Sequence, residues 1–309
     1  MGTPRICIIL NVGSGQRDTK SEPENIAAAF ANAGATCTIK LIHDGTQIVA
    51  QTRAAAAEGF TTIVAAGGDG TICAVASALQ GSDVVMGILP LGTFNYFARS
   101  LDLPMELDPA VRVIVAGQTR PLRVAKVNDR VFLNNASLGA YPAILETREG
   151  IYKRWGRSRF IAYWAVLKTL STVRPPLHLR VTADGESHVV RSPLVFVVNN
   201  AYQLTQLSVA GADHIEDGKL VVFIAPHTGR IEMIRMAVVI ALGRGLPDRK
   251  FEVLSGSDIL IERLGRAVGH RQTIARDGER ERLAGPFHLQ VIENALNVLV
   301  PETDTGAAR

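Results

Sequence analysis

Apolar residues recur along this chain in two patterns, and the change from one to the other falls near residue 121. Before it, short unbroken apolar runs alternate with stretches of helical periodicity. Residues 5–10 read as a first strand, and Ser21 with Glu24 three positions later fits a capping box opening a helix to residue 33 that Gly34 can terminate. Residues 35–41 read as the second strand, an alanine-rich helix runs from 46 to 59, and 61–66 and 84–89 read as the third and fourth strands. Strands of about five to seven residues alternating with helices of roughly 10 to 15 predict an α/β domain with a parallel sheet. Beyond 121, strand-like runs predominate: 122–126, 130–134, 177–183, 188–191, 194–199, 220–224, 251–254, 259–263 and 271–276. These predict a β-rich antiparallel second domain, a sandwich or open barrel with inserted helices.

The densest local signal lies where the third strand ends. Val64-Ala65-Ala66 leads into Gly67-Gly68-Asp69-Gly70-Thr71, and a helix-like stretch, 72–79, follows at once. Glycines let consecutive backbone N–H groups turn toward an anion, and the start of a helix adds the positive end of a dipole. The plainer alternative is a tight turn with Asp69 as N-cap. The fourth strand ends similarly, in Pro90-Leu91-Gly92-Thr93-Phe94-Asn95 before another apolar helix-like stretch. Adjacent parallel strands would carry both loops to one carboxyl edge, where open α/β sheets bind ligands. Neither a Gly-x-x-x-x-Gly-Lys-Ser/Thr loop nor the protein kinase signature set is present.

Gly67-Gly68-Asp69-Gly70-Thr71, followed after the next strand by Leu89-Pro90-Leu91-Gly92-Thr93-Phe94-Asn95-Tyr96-Phe97-Ala98-Arg99, closely resembles the catalytic domain of the diacylglycerol kinase and sphingosine kinase family, above all its bacterial soluble lipid kinases. The resemblance runs from about Ile6 to Pro301. The glycine motif alone is shared with NAD kinases; the second motif and its spacing favour the lipid kinases. The resemblance implies ATP and Mg²⁺ as cofactors. In Asn11-Val12-Gly13-Ser14-Gly15, where the family has Asn-Pro-x-Ser-Gly, it implies that Asn11, Gly13, Ser14 and Gly15 touch ATP. Gly67, Gly68, Gly70 and Thr71 would cradle phosphates, with Asp69 holding the loop or a magnesium-bound water, and Thr93 and Asn95 on the opposite wall. Asp277, in an Asp-Gly-Glu near the C-terminus, is implied to be the general base, with Glu279 beside the nucleotide, and Asp217 resembles a structural magnesium site. Runs 287–292 and 296–300 are implied to return to the first domain, so that 1–121 with 288–309 forms the nucleotide-binding domain, 122–287 the lipid-substrate domain, and the active site lies in the cleft. The chain departs from the family at Cys73 and Ala74, usually Asn and Glu, and at Tyr96, usually Asp.

Asp-Gly occurs at Asp44, Asp69, Asp184, Asp217 and Asp277, and between strands this pair is a common type I′ hairpin signal. Asp184-Gly185-Glu186 repeats the triplet Asp277-Gly278-Glu279. Position separates them: Asp277 stands just before the last strands and is read as catalytic, Asp184 as a hairpin turn.

Composition adds bounds. The chain has 309 residues, enough for two domains, and 47% hydrophobic with 20% charged residues describes an ordinary folded protein. A net charge of +4 is mild; it suits ATP or an anionic membrane and does not call for nucleic acid. Cys7, Cys37 and Cys73 sit among apolar residues without metal or disulfide spacing, which predicts reduced thiols in a cytoplasmic protein. No signal peptide and no transmembrane span are predicted, so any lipid would be met from the membrane surface. Residues 157–173 carry Phe160, Ile161, Trp164, Leu167 and Leu170 at helical spacing behind Lys153, Arg154, Arg157 and Arg159; this reads as a packed helix or a membrane-docking one. Residues 231–242 read as a core helix, and an exposed edge strand would leave room for a homodimer.

The resulting expectation is an ATP-dependent kinase of a diacylglycerol or related lipid hydroxyl. The rivals are an NAD kinase and a non-catalytic nucleotide-binding regulatory protein, the latter motivated by Cys73, Ala74 and Tyr96.

Overall fold

The computed structural model describes residues 4–12, 22–139, 176–206, 209–226 and 251–302. The chain divides into two compact units, residues 1–124 with 292–309, and residues 125–291. Gly13, Ser14, Gly15 and Ser21, the basic segment 153–159 and the helices expected at 157–173 and 231–242 lie outside the described residues.

The first unit is a parallel sheet covered on both faces. Strands β1 (Ile6–Asn11), β2 (Cys37–Ile42), β3 (Thr62–Gly67) and β4 (Val85–Pro90) lie in the order β2-β1-β3-β4, all parallel. Every residue of β3 is buried, because a parallel strand sandwiched between helix layers meets apolar partners on both sides. Ile6, Ile8, Leu10, Val64 and Leu89 form one face with α1 (Glu22–Asn32) and α5 (Leu107–Ala116). Helices α2 (Ile48–Ala57) and α3 (Asp69–Leu79) pack against each other and against β3. Each fully buried Ile or Leu adds about 1.5–3 kcal/mol relative to an exposed one.

Local chemistry sets the ends of these elements. Gly34 closes α1 at φ +77° with the Ala35 N–H on the Phe30 carbonyl at 2.9 Å and the Gly34 N–H on Ala31 at 3.0 Å, a Schellman arrangement. The second helix starts later than residue 46: Asp44 accepts the Thr46 N–H at 3.0 Å and caps a 3₁₀ turn, Gly45–Gln47, which leads into α2 at Ile48. Cys7 is fully buried, and that burial pushes its thiol up to about 11.

The second unit is a pair of antiparallel sheets. One has the order β12-β11-β10-β7-β14-β15, from β7 (Asn135–Gly139), β10 (Leu194–Val198), β11 (Leu220–Ile224), β12 (Glu252–Gly256), β14 (Arg271–Arg276) and β15 (Glu279–Ala284). In the other, β8 (Leu177–Ala183), β9 (Glu186–Ser192) and β13 (Asp258–Arg263) pair with the first part of β16 (Phe287–Leu299). Strands β5 (Thr119–Val127) and β6 (Arg130–Phe132) form a hairpin. Leu138, Val197, Val222 and Ile274 from the first sheet meet Leu179, Val181, Ile261 and Leu289 from the second in one core. Short helices α6 (Ala201–Gln206) and α7 (Ala212–Glu216) cover Val198, Val221 and Phe223 on the other side of the first sheet.

The sequence reading missed β7 and β15, and it divided β16. That strand is continuous: its first part pairs with β13, and Asn297 and Val298 pair in parallel with Val85 and Met86 of β4.

Candidate functional site

In the first unit three strand ends converge on the start of α3. The helix begins after Gly68, which is extended and makes no side-chain cap, and its ladder starts with the Ile72 N–H on the Gly68 carbonyl at 3.0 Å. The first-turn amides precede that ladder and face outward from a positive helix end. The plainer expectation for Asp69, an N-cap, is corrected: it sits inside the first turn, and its carboxylate accepts the Phe97 N–H at 3.2 Å, tying the β3–α3 loop to the next one. Asn11, at the end of β1, donates from Nδ2 to the Thr71 hydroxyl at 3.0 Å.

Glycine is required here by crowding. A Cβ on Gly67 would lie 2.5 Å from Thr71 Oγ1, and one on Gly92 would lie 2.4 Å from the Gly68 Cα. Real Cβ atoms do not approach backbone so closely, so the two loops touch main chain to main chain. Asn95 holds the second loop in shape. It adopts the left-handed conformation at φ 53°, is 3% exposed, accepts the Gly92 N–H at 3.1 Å and donates to the carbonyls of Pro90 at 3.2 Å and Gly92 at 3.0 Å. The side chain expected to line a wall is therefore spent on its own loop. Thr93 is exposed, and the Phe94 and Tyr96 rings stack at 5.6 Å beside it, at the opening of α4 (Tyr96–Ser100).

In the second unit, Asp277 and Gly278 form the two-residue turn between β14 and β15, both at positive φ. The Asp277 carboxylate accepts three successive backbone N–H groups: Leu133 on Oδ2 at 2.7 Å, and Asn134 and Asn135 on Oδ1 at 2.8 and 3.0 Å. Its own N–H donates to the Asn135 carbonyl at 2.9 Å. Glu279 is exposed and opens β15 opposite Arg276.

The segment that Asp277 grips belongs to a buried amide cluster that sequence reasoning missed. Asn135 Nδ2 donates to Gln203 Oε1 at 3.0 Å, Asn199 Nδ2 to the Leu133 carbonyl at 2.9 Å, and Asn200 Nδ2 to Asn134 Oδ1 at 2.7 Å. Asn135 Oδ1, Asn199 Oδ1 and Ser137 Oγ are buried with no hydrogen-bond partner among the described residues. Leaving such an acceptor dry costs about 1–3 kcal/mol, so the cluster calls for a water or a ligand donor. The legible signal was a repeated Asn-Asn pair, 134–135 and 199–200, each bordering a strand.

Asp217 is exposed and follows α7, its N–H donating to the Asp213 carbonyl at 2.9 Å. Among the described residues no group of three His, Cys, Asp or Glu side chains could hold a metal ion. No described helix is long and apolar enough to cross a membrane.

Comparison with known proteins gives this arrangement its class. Residues 5–127 match the family model described as the diacylglycerol kinase catalytic domain, and 148–300 match the YegS C-terminal NAD kinase beta sandwich-like domain. A Citrobacter koseri protein named "Probable lipid kinase YegS-like" is 32% identical over 253 residues, 79% of each chain. A Mycobacterium tuberculosis protein named "Diacylglycerol kinase" is 28% identical over 208 residues, 65% of each chain. A crystal structure of a diacylglycerol kinase from Bacillus anthracis str. Sterne has the same fold, with a TM-score of 0.67 at 19% identity over 97% of this chain and 98% of that one. These similarities define a lipid kinase. The chain belongs to the YegS-like branch of the diacylglycerol kinase catalytic domain family.

Proposed function

We propose that the protein transfers the γ-phosphate of ATP to a hydroxyl of diacylglycerol or a closely related lipid. The observation that carries this reading is the glycine cradle of the first unit, where side chains at Gly67 and Gly92 are excluded and the start of α3 opens outward. That crowding and the donor set fit a polyphosphate: the amides of Gly70 and Thr71 would face its oxygens, with Gly68 allowing close approach. Asp69 keeps the two loops in register through Phe97, and Asn11 fixes the Thr71 hydroxyl. Mg²⁺, when bound, would neutralise charge on the phosphoryl oxygens.

An alcohol attacks a phosphoryl group only as it loses its proton, so a carboxylate must receive that proton. Asp277 is the residue we assign to this role. Three backbone N–H groups fix the position of its carboxylate. The amide cluster beside it, with acceptors on Asn135 and Asn199, suits a polar headgroup bearing hydroxyl donors. Glu279, Thr93 and the 13–15 segment are assigned to the nucleotide side, and Asp217 to a magnesium site, on the strength of the family motif alone, while Asn95 serves that side by holding its loop in shape.

The test is transfer of labelled γ-phosphate from ATP with Mg²⁺ to diacylglycerols, monoacylglycerol, phosphatidylglycerol, sphingosine, ceramide and NAD in mixed micelles. Wild type, Asp277→Asn and Gly92→Ala are run together. Label in one lipid, lost in both variants, is the expected result. Label in NAD alone would replace the reading with an NAD kinase, and ATP binding without transfer would replace it with a nucleotide-binding regulator.

A further inference from the structure

The loop that meets the glycine cradle also carries an aromatic pair. Phe94 and Tyr96 stand on either side of Asn95, and their rings lie parallel within 2° with centroids 5.6 Å apart, an offset stack. The backbone fixes that pair. Left-handed Asn95 turns the chain between the two rings, its Nδ2 donates to the carbonyls of Pro90 and Gly92, and the Phe94 carbonyl accepts Arg99 Nε at 3.0 Å. Tyr96 then opens α4, whose next residue, Phe97, has its N–H held by Asp69 of the glycine loop. Because Tyr96 stands where the family usually has Asp, the chain gives up a carboxylate at this point and gains a ring.

Single exposed apolar side chains are ordinary on a protein surface, and Leu41, Val189 and Val253 are of that kind, each on a strand at the end of its sheet. Phe94 differs in place and in shape. It is 50% exposed although Tyr96 stacks on it, so the far side of its ring is open. It lies two residues beyond Gly92, whose main chain meets that of Gly68, and two residues of extended chain span at most about 7 Å. A nucleoside triphosphate is a charged tail joined through a sugar to a flat ring, and the loop offers a counterpart to each end within that reach. A base stacks on an aromatic side chain through its π-face, without hydrogen-bond readout. A second ring behind the first holds its plane fixed, which serves a flat ligand and adds nothing for an aliphatic chain.

We propose that Phe94, braced by Tyr96, is a stacking platform for the purine ring of the nucleotide whose phosphates enter the glycine cradle. The inference rests on the polyphosphate reading of that cradle for its choice of ligand. A purine has more ring to cover than a pyrimidine, so the platform favours ATP over CTP.

The whole protein is titrated calorimetrically with ATP, CTP and tripolyphosphate, each with Mg²⁺. Phe94→Ala is expected to weaken ATP about five- to a hundredfold, the range for losing one base–aromatic stack, to bring ATP and CTP closer together and to leave tripolyphosphate unchanged. Phe94→Leu, apolar but without a ring, should behave like Phe94→Ala. Phe94→Trp should keep the preference for ATP over tripolyphosphate, and its fluorescence should be quenched by ATP and not by tripolyphosphate, with the two native tryptophans of wild type as background. Tyr96 is a positioning residue: Tyr96→Ala should weaken ATP by less than Phe94→Ala does and leave tripolyphosphate alone, and Tyr96→Phe should restore the loss.

Unchanged melting checks the fold of the variants; if Phe94→Ala melts early, the quench in Phe94→Trp carries the test. Equal ATP affinity in wild type and Phe94→Ala, or an equal loss of ATP and tripolyphosphate, overturns the proposal. So does a Phe94→Ala variant whose KM for the lipid rises in the labelled-phosphate assay while its ATP affinity is untouched, since Phe94 would then face the acceptor. Gly92→Ala separates the two readings. If it weakens both ATP and tripolyphosphate while Phe94→Ala changes neither, the cradle stands and the platform fails. If Phe94→Ala weakens ATP selectively while Gly92→Ala leaves tripolyphosphate binding intact, the platform stands and the cradle reading fails.

Discussion

The triplet Asp-Gly-Glu occurs twice, and the structure gives both copies the same backbone task. Asp184-Gly185 joins β8 to β9 and Asp277-Gly278 joins β14 to β15, with aspartates at φ 45° and 46° and glycines at 94° and 84°. Asp184 donates its N–H to the Asp258 carbonyl at 2.9 Å and accepts the amides of Ser257 and Asp258 on Oδ1, both at 3.0 Å. Asp277 does the same to Asn134 and Asn135. Each turn clamps the first residue of the strand its hairpin pairs with, β13 in one case and β7 in the other.

The surroundings differ. Asp184 is exposed, and its clamped segment faces water, where Asp258 holds His288 at 2.8 Å and Gln290 at 2.9 Å. Asp277 is half-buried, takes a third amide from Leu133, and grips a segment whose asparagines are buried. A turn motif thus becomes a candidate catalytic group through what it is clamped to.

Exchanging aspartate for asparagine at each turn is the sharpest way to break the comparison. Asp277→Asn is expected to lower turnover about 10²–10⁴-fold, the range of a lost general base, while Asp184→Asn leaves it near wild type; the labelled-phosphate assay reads both. Equal effects would reduce Asp277 to a clamp. Truncation to alanine tests the clamps. Asp277→Ala leaves three partly buried amides without their acceptor and should cost about 3 kcal/mol, against about 1 kcal/mol for exposed Asp184→Ala, measured by urea unfolding. Gly278→Ala and Gly185→Ala, with open space around the added methyl but left-handed backbone, should each cost about 1 kcal/mol and so show that the turns themselves are equivalent.

The smallest effect is in acid. Burial would raise the Asp258 carboxyl, but hydrogen bonds from Gln290 and His288 outweigh it and hold the group below its ordinary 3.8. A depressed native value stabilises the fold above 3.8 and loses that contribution as pH falls through the native value. Wild type should therefore lose slightly more stability than Asp258→Asn between about pH 4 and 2 in thermal melts.

The parallel unit was legible because burial on both faces leaves unbroken apolar runs, as in Ile63-Val64-Ala65-Ala66, and β8 because Leu177, Leu179, Val181 and Ala183 alternate with polar residues. Strand β7 escaped because Asn135-Ala136-Ser137 offers neither pattern: its polar residues are buried in an amide cluster assembled from distant segments. Strand β15 escaped because Glu279-Arg280-Glu281-Arg282 reads as a solvated charge run, the composition an edge strand needs. The glycine loop was visible, whereas the main-chain contact of Gly68 with Gly92 and the self-anchoring of Asn95 depend on two loops meeting in space.

Strand β16 links the first unit to the order in which the chain is synthesised. The parallel neighbour of β4 comes from Asn297 and Val298, and the Gly81 amide waits for the Ala295 carbonyl. The residues from 125 to 291 must be translated before those partners exist, a delay on the order of ten to thirty seconds at common elongation rates. During that interval β4 carries an unpaired edge on the ribosome, so a nascent chain halted at residue 291 should be cleaved by protease within its first 124 residues, and one extended through residue 302 should resist.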